Sequence, residues 1–363
     1  MNKSCVTKST QPEAMQKKFA LFLLLILISN QNSFAQLGGS ATYSFLNLPT
    51  AARQSALGGN VVSIRDFDLN MAYNNPSLLN REMDKQITFN YVSYLADIKY
   101  GYTAFSKSIE KIGNFSAGLH FVDYGNFDLT DEYANVNGTF SAGEYSFNLS
   151  GSRMIDSVFA VGVTLKTIYS SLESYKSFGL AADVGVSYIS PDRLTTIALV
   201  VRNGGKQLKT YTSSNDEPLP LEVEVGITKR LPKAPLRLTI TLRNLQKWDL
   251  TYLTPADLNE TDPITGEIKA PEEAKFFDKA LRHVILSTEV LISKNFHLRF
   301  GYNFQRRKEF KIEERSALVG LSGGFGIKIS KFHLSYARSS YHVAGGTNSF
   351  CISTYLSDFV KKK

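Results

Sequence analysis

In Phe296-His297-Leu298-Arg299-Phe300-Gly301-Tyr302-Asn303-Phe304-Gln305, every second residue is large and apolar, and every residue between is polar or small. A period of two is that of an extended strand, whose successive side chains leave opposite sides of the backbone. One side of this strand is greasy and the other can be wetted. The same pattern sets Phe159, Val161, Val163 and Leu165 against Ala160, Gly162, Thr164 and Lys166. It sets Phe178, Leu180, Val184 and Val186 against Gly179, Ala181, Asp183 and Ser187, and Leu221, Val223, Val225 and Ile227 against Glu222, Glu224, Gly226 and Thr228. It recurs near 87–95, 98–109, 113–124, 140–153, 194–203, 236–249, 283–293, 316–330, 331–342 and 347–357, about 14 strands in all.

A soluble sandwich also buries one face of each strand. Three features favour a membrane barrel instead. Most segments run about 10–15 residues, where globular strands run about five or six and a tilted membrane-crossing strand needs about 9–11. Tyrosines crowd the strand ends, among them Tyr91, Tyr94, Tyr100, Tyr102, Tyr124, Tyr145 and Tyr169, as amphipathic rings do at headgroup level. The connections also alternate in length. Turns near 110–112, 156–157, 191–192, 232–235, 293–295 and 330–331 are short, and the long stretches 125–139, 204–218, 250–281 and 308–315 all fall in the other set. Short turns near 96–97 and 171–174 depart from the rule. With an even strand number, the N-terminus is expected to be periplasmic and the long loops extracellular.

Lys17-Lys18, an apolar run from Phe19 to Ile28 and Ser33-Phe34-Ala35 have the layout of a secretory signal peptide, cleaved between Ala35 and Gln36. Ten apolar residues span only about 15 Å as helix, half a bilayer core. Met15 can serve as the true start. The expected organisation is therefore signal peptide 1–35, N-terminal hatch or plug 36–83, barrel 84–359 and basic tail 360–363. Removing 1–35 takes away four lysines and one glutamate and lowers the formal charge from +8 to +5. Three of those positives are Lys361, Lys362 and Lys363, so the high pI does not point to nucleic acid. Cys351 is then alone and has no partner for an intramolecular disulfide.

The inner face carries both signs of charge: Lys166, Asp183, Glu222, Glu224, Arg237, Arg243, Glu289, Arg299 and Lys328. Of these, Lys166, Asp183, Glu222, Glu224, Arg243 and Arg299 are the lumen-lining candidates. Folding 221–249 about Pro232 brings Glu222 near Arg243. Such a lining either selects a permeant or forms a salt-bridged filling, and mixed signs favour the filling because they cancel rather than build a field. No catalytic, cofactor or metal constellation stands out. The five histidines form no ligand pair, and no Gly-x-Ser-x-Gly or phosphate loop is present. Gly320, Gly323, Gly324 and Gly326 read as strand packing positions. The acidic 257–267 loop matches no calcium-loop spacing. A short helix is expected from Pro271; Phe276 and Phe277 within it either dock a partner or tuck back on the barrel rim, and are the partner-facing candidates.

Ala52-Arg53-Gln54-Ser55-Ala56-Leu57-Gly58-Gly59, Asp66, Asp68 and Asn75-Pro76-Ser77-Leu78-Leu79 resemble the opening of FadL-like outer-membrane proteins, where an N-terminal segment folds into the barrel mouth as a hatch. Further stretches, in order, resemble the PorQ family of type IX secretion proteins: Gln36-Leu37-Gly38-Gly39 with Tyr43 to Pro49, Asn90 to Tyr94, Leu199 to Asn203, Lys247 to Tyr252, Gly301 to Asn303 with Gln305 to Arg307, and Ile329 to Tyr336. The resemblance implies a FadL-like barrel without enzymatic activity. It would be held in outer-membrane lipid and would anchor a surface-exposed PorZ-like protein beside PorU-like and PorV-like members of an attachment complex. The FadL relation alone implies a different role, the transport of hydrophobic small molecules. The terminal Leu356-Ser357-Asp358-Phe359 resembles a barrel-assembly signal, with a lysine tail that departs from that pattern.

Overall fold

The computed structural model describes residues 41–212, 217–251, 274–309, 318–342 and 345–360. The cleavage-site residues Ala35 and Gln36, the acidic loop 257–267 and the lysine tail lie outside them. Fourteen antiparallel strands close into a barrel: β1 Gln86–Ser93, β2 Lys99–Ile109, β3 Gly113–Thr130, β4 Val136–Met154, β5 Phe159–Leu172, β6 Tyr175–Ile189, β7 Thr195–Lys209, β8 Glu222–Arg230, β9 Leu236–Leu242, β10 Val284–Val290, β11 Phe296–Asn303, β12 Leu321–Ile329, β13 Phe332–His342 and β14 Gly345–Tyr355. Each pairs with its neighbours in sequence, and β1 meets β14 in register from Gln86↔Tyr355 to Ser93↔Asn348.

Polarity is inverted relative to a water-soluble protein. Leu165 is 60% exposed and Lys166, the next residue, 1%. Phe300 is 54% exposed and Arg299 3%. Phe89, Leu119, Phe147, Leu180, Leu199, Ile240, Phe325 and Ile352 continue the greasy outer belt. Thr88, Ser146, Asp183, Glu224, Thr241 and Ser349 line the buried inner wall. Only a bilayer makes such a surface favourable. Closure gives every strand two partners, so no sheet edge faces hydrocarbon. The chain is a membrane-spanning β-barrel of the outer-membrane type.

Several local expectations need correction. Tyr100 and Tyr102 point into the lumen, 1% and 4% exposed, rather than joining an aromatic belt. On β2 the outward positions are Gly101, Thr103 and Phe105, so parity and not nearness to a strand end decides where a ring goes. The stretch 125–139 is mostly strand, and only 131–135 connects β3 to β4. β9 stops at Leu242, where Asn244 takes a left-handed turn with φ 54°. β11 stops at Asn303, because its side chain accepts from the Arg306 N–H and starts the helix Phe304–Glu309. Gly320 lies before β12 with φ 88°, not on a strand. The helix expected from Pro271 is described as Phe276–Arg282.

The turns at 110–112, 155–158, 190–194, 231–235, 291–295 and 330–331 share one end of the barrel with the start of β1 and the end of β14. The longer connections share the other. Leu165 lies near the middle of β5. Leu165→Arg is expected to lower stability in lipid vesicles by about 2–4 kcal/mol, the penalty for a cation at the bilayer midplane. Urea titration measures it, and an unchanged midpoint would place Leu165 in water and remove the bilayer-facing assignment.

Candidate functional site

The polar inner wall demands a polar filling, and residues 41–85 supply it. They traverse the lumen rather than rest in its mouth. Thr42 N–H donates to the Pro218 carbonyl (3.0 Å) at the long-connection end, and the chain reaches β1 at the short-turn end. The N-terminal segment was expected to fold into the barrel mouth as a hatch; residue 42 lies at the same end as the long connections. The helix Ala52–Ala56 is fastened by Gln54. Its amide oxygen accepts from the Thr50 and Ala51 N–H groups (2.9 and 3.2 Å), and its amide nitrogen donates to the Asn70 carbonyl (2.7 Å). The next turn can pass close to the wall because Gly301 on β11 has no side chain. A Cβ there would lie 2.3 Å from the Gly58 nitrogen.

Three ion clusters hold the filling. In the first, Arg53 reaches Asp66 (2.7 Å), Asp68 (3.2 Å) and Glu289 on β10 (2.9 Å). Glu289 also takes Arg237 from β9 (2.6 Å) and Arg299 from β11 (3.1 Å), and Arg237 returns to Asp66 (2.8 Å). Three guanidinium groups thus meet three carboxylates. In the second, Arg202 on β7 pairs with Glu224 (3.0 Å) and Arg243 with Glu222 (2.7 Å). Asn60 of the plug donates to Glu224 (2.8 Å), and Arg202 donates to the Leu46 carbonyl (3.1 Å). In the third, Lys166 sits between Asp183 and Asn203, 2.7 Å from each, with Tyr73 of the plug 5.4 Å from its ammonium. Charges taken out of water persist only when paired this closely.

All six lumen-lining candidates, Lys166, Asp183, Glu222, Glu224, Arg243 and Arg299, belong to these clusters. Lys166 and Asp183 form an ion pair of their own beside the Glu222, Glu224 and Arg243 cluster, with the Tyr73 ring shared between Lys166 and Arg202 (5.4 and 5.8 Å), and Arg299 belongs to the Arg53 group. The sequence reading missed Arg202 and the plug partners Arg53, Asn60 and Tyr73. Arg202 was within reach, because Ile197, Leu199 and Val201 face lipid and the alternate positions Ala198, Val200 and Arg202 must face inward. Apolar packing completes the filling. Leu57, Val61, Ile64, Met71 and Leu78 form one buried cluster, and Tyr43, Phe45 and Leu46 pack on Val92, Tyr100, Val122 and Ile168. Two cavities flank the packed centre. One of ≈ 200 Å³ at the long-connection end touches Asn47, Asn60, Arg243, Asn303 and Glu309. One of ≈ 360 Å³ at the short-turn end touches Arg65, Asp66, Asn80, Glu82 and Arg193. Both are lined chiefly by polar side chains.

No family model matches the chain, and no curated protein matches it. Among solved structures, it is similar to the Pseudomonas putida toluene transporter TodX, with 11% identity over 84% of this chain and 96% of that one and a TM-score of 0.49. It is also similar to a Pseudomonas aeruginosa FadL homologue, with 11% identity over 84% and 98% and a TM-score of 0.44. The KdgM porin is also similar, at 8% identity over 74% and 98%, with a TM-score of 0.30. These values carry no inference about activity, and the barrel assignment rests on the strand pairing itself.

At the long-connection end, Phe276 and Phe277 are 73% and 71% exposed on the helix Phe276–Arg282. Trp248, the only tryptophan, lies 5.2 Å from the Phe276 ring and 5.5 Å from His283. Salt bridges tie the helix down: Lys279 to Asp249 (2.6 Å) and Lys308 to Asp278 (2.5 Å). Burial pushes the Asp249 carboxyl up, but hydrogen bonds from Lys279 and Thr251 outweigh it and hold it at about 2. The Lys308 hydrogen bond holds Asp278 below the ordinary carboxylate range, against burial.

Two outcomes are expected. Arg53→Ala leaves three buried carboxylates facing two guanidinium groups and lowers the stability of the detergent-solubilised protein by about 3–5 kcal/mol. The exposed Lys328→Ala is expected to leave it unchanged. Equal unfolding midpoints for the two variants would mean that water already screens the Arg53 cluster. For the helix, both depressed carboxyls stabilise fully above their unfolded range of about 4; the Asp249 contribution is lost as pH falls through about 2, and the Asp278 contribution is lost below the ordinary carboxylate range. Trp248 emission is therefore expected to change between these pH values, and the change to vanish in Asp249→Asn/Asp278→Asn. Its persistence in the double variant would assign it elsewhere.

Proposed function

We propose that this barrel is a non-enzymatic outer-membrane component of the type IX protein secretion and cell-surface attachment machinery. In this reading it anchors a surface-exposed PorZ-like partner, with PorU-like and PorV-like proteins nearby and the long loops extracellular. The observation that supports it is the filled lumen. Arg53, Glu289, Arg202, Glu224, Lys166 and Asp183 are all nearly inaccessible, and each ion cluster spans plug and wall or packs against the plug. A cross-linked interior gives a rigid platform in the membrane and offers a hydrophobic solute no apolar passage. The finer part of this reading rests on the ordered stretches that resemble the PorQ family.

The second reading is a FadL-like outer-membrane transporter of hydrophobic small molecules. Of the similar structures reported above, one is named a toluene transporter, one a FadL homologue and one a porin. The plug with a cavity at each end is the feature that would serve transport. In that case the plug must leave its ion pairs for solute to pass.

Deleting the gene in its native bacterium separates the two. The anchoring reading expects secreted cargo to disappear from the cell surface, by immunolabelling of intact cells, with uptake of fatty acids and aromatic hydrocarbons unchanged. Normal surface display with selective loss of uptake would overturn it in favour of transport.

A further inference from the structure

β3 and β4 outrun their neighbours. β2 leaves β3 at Lys99↔Asp123, and β5 leaves β4 at Ala142↔Leu172. Beyond those points the two strands pair only with each other, from Asn126↔Ser141 to Thr130↔Val136. The result is a two-stranded ribbon with both edges open, standing off the barrel at the long-connection end. Its root is pinned by the Tyr124 hydroxyl, which donates to Glu144 (2.5 Å).

The ribbon has its greasy side on the opposite face from the barrel. On β4 the even residues Glu144, Ser146 and Asn148 face the lumen, and Tyr145, Phe147 and Leu149 face lipid. Phe140 and Gly138 therefore continue the inner side. On β3 an extra residue, Tyr124, forms a bulge between Asp123 and Gly125. A one-residue shift exchanges the faces of a strand. It brings Phe127 opposite Phe140 and Leu129 opposite Gly138, on the side continuous with the inner wall. The two phenylalanine rings stack at 5.3 Å. Phe127 and Leu129 remain 44% and 43% exposed. Asn126, Asp128, Thr139 and Ser141 take the outer side. An isolated two-stranded ribbon is marginal in water, and an uncovered apolar face on open-edged strands is a liability unless something binds it.

Charge narrows what that is. No lysine or arginine occurs between Lys111 and Arg153, and the ribbon and its tip carry Asp128, Asp131 and Glu132. Around the barrel, the β3–β4 ribbon and the Trp248–Phe276 aromatic patch beside β9 and β10 stand nearly across the mouth from each other. A body seated over the mouth would touch both.

We propose that the β3–β4 ribbon is a docking arm, whose mouth-side apolar face holds a folded protein with a basic, apolar-centred contact surface seated over the long-connection end of the barrel. The inference rests on the anchoring reading for the presence of that partner. It adds which element grips the partner and with what chemistry.

The test uses full-length Leu129→Cys, since the native Cys351 is buried. A water-soluble maleimide labels it in native outer membranes and in purified, detergent-solubilised protein. Labelling is expected to be about tenfold slower in the native membranes, as at the water-excluded centre of an interface. Thr139→Cys, on the other side of the ribbon, is expected to label alike in both. Adding Asp128→Lys, Asp131→Lys and Glu132→Lys is expected to restore fast labelling of Leu129→Cys in membranes, with barrel folding checked by heat-shifted gel mobility. Four results would overturn the proposal. One is equal labelling in both preparations. Another is slowing at Thr139→Cys as well, the mark of general shielding by surface polysaccharide. A third is protection that persists in the purified monomer, the mark of a cover from this chain. The last is disulfide-linked pairs of copies through Leu129→Cys, the mark of self-association. The two readings fail separately. Normal cargo display in the gene-deletion strain sinks the anchoring role and leaves a protected Leu129→Cys as a docking arm. Lost display with an unprotected Leu129→Cys sinks the arm alone.

Discussion

Hydrocarbon offers no hydrogen bonds, and a backbone amide left unpaired in it costs several kcal/mol. The rest of this molecule follows from that constraint. It forces the sheet to close, with β14 returning to β1, and it turns the large aliphatic and aromatic side chains outward. The inner wall then collects whatever is polar. A wall of Thr, Ser, Asn and paired ions cannot be filled by an ordinary hydrophobic core. The plug meets it with its own polar groups, and keeps its leucines, Met71 and its small residues for the spaces between the ion clusters.

The three clusters divide the work unevenly. The Arg53 group joins the plug to three adjacent strands, so its charge balance is shared between parts far apart in sequence. The Arg202 group joins β7, β8 and the segment after β9, and the plug enters it through neutral donors and acceptors such as Asn60 and the Leu46 carbonyl. The Lys166 group is wholly within the wall, capped by the Tyr73 ring. Buried ion pairs of this kind are weak contributors to net stability but strict ones, since a missing partner leaves a bare charge. They specify one position of the plug more than they strengthen it.

The strands were legible in the sequence because a lipid face and a polar face on one strand impose a clean period of two. Fourteen strands and the inward direction of Lys166, Asp183, Glu222, Glu224, Arg243 and Arg299 could be read from that period alone. Its breakdown was equally informative. The bulge at Tyr124 shifts the phase, so Phe127 and Phe140 no longer fit the barrel pattern and 125–139 looked like a loop. At Asn303 the alternation runs on through Phe304 and Gln305, but a side-chain cap turns the chain into a helix. Which inward charges meet could be inferred only within a hairpin, as for Glu222 and Arg243. Arg53 and Glu289 are 236 residues apart, and nothing local to either sets that pairing.

Ser55 of the plug bonds to Ser349 on the last strand, 294 positions later. Ser339 on β13 donates to the Ser55 carbonyl as well. During synthesis the plug is made first and its final neighbours last. Through most of the chain's emergence, the plug has only part of its enclosure and must wait in water or on a helper for the seam to form. Closing a loop of this length is slow compared with local hairpin pairing. Buried Gln54, Asn70, Asn74, Asn75 and Ser77 stand where a soluble core would carry leucine, and these positions stay compatible with water until the wall arrives around the plug.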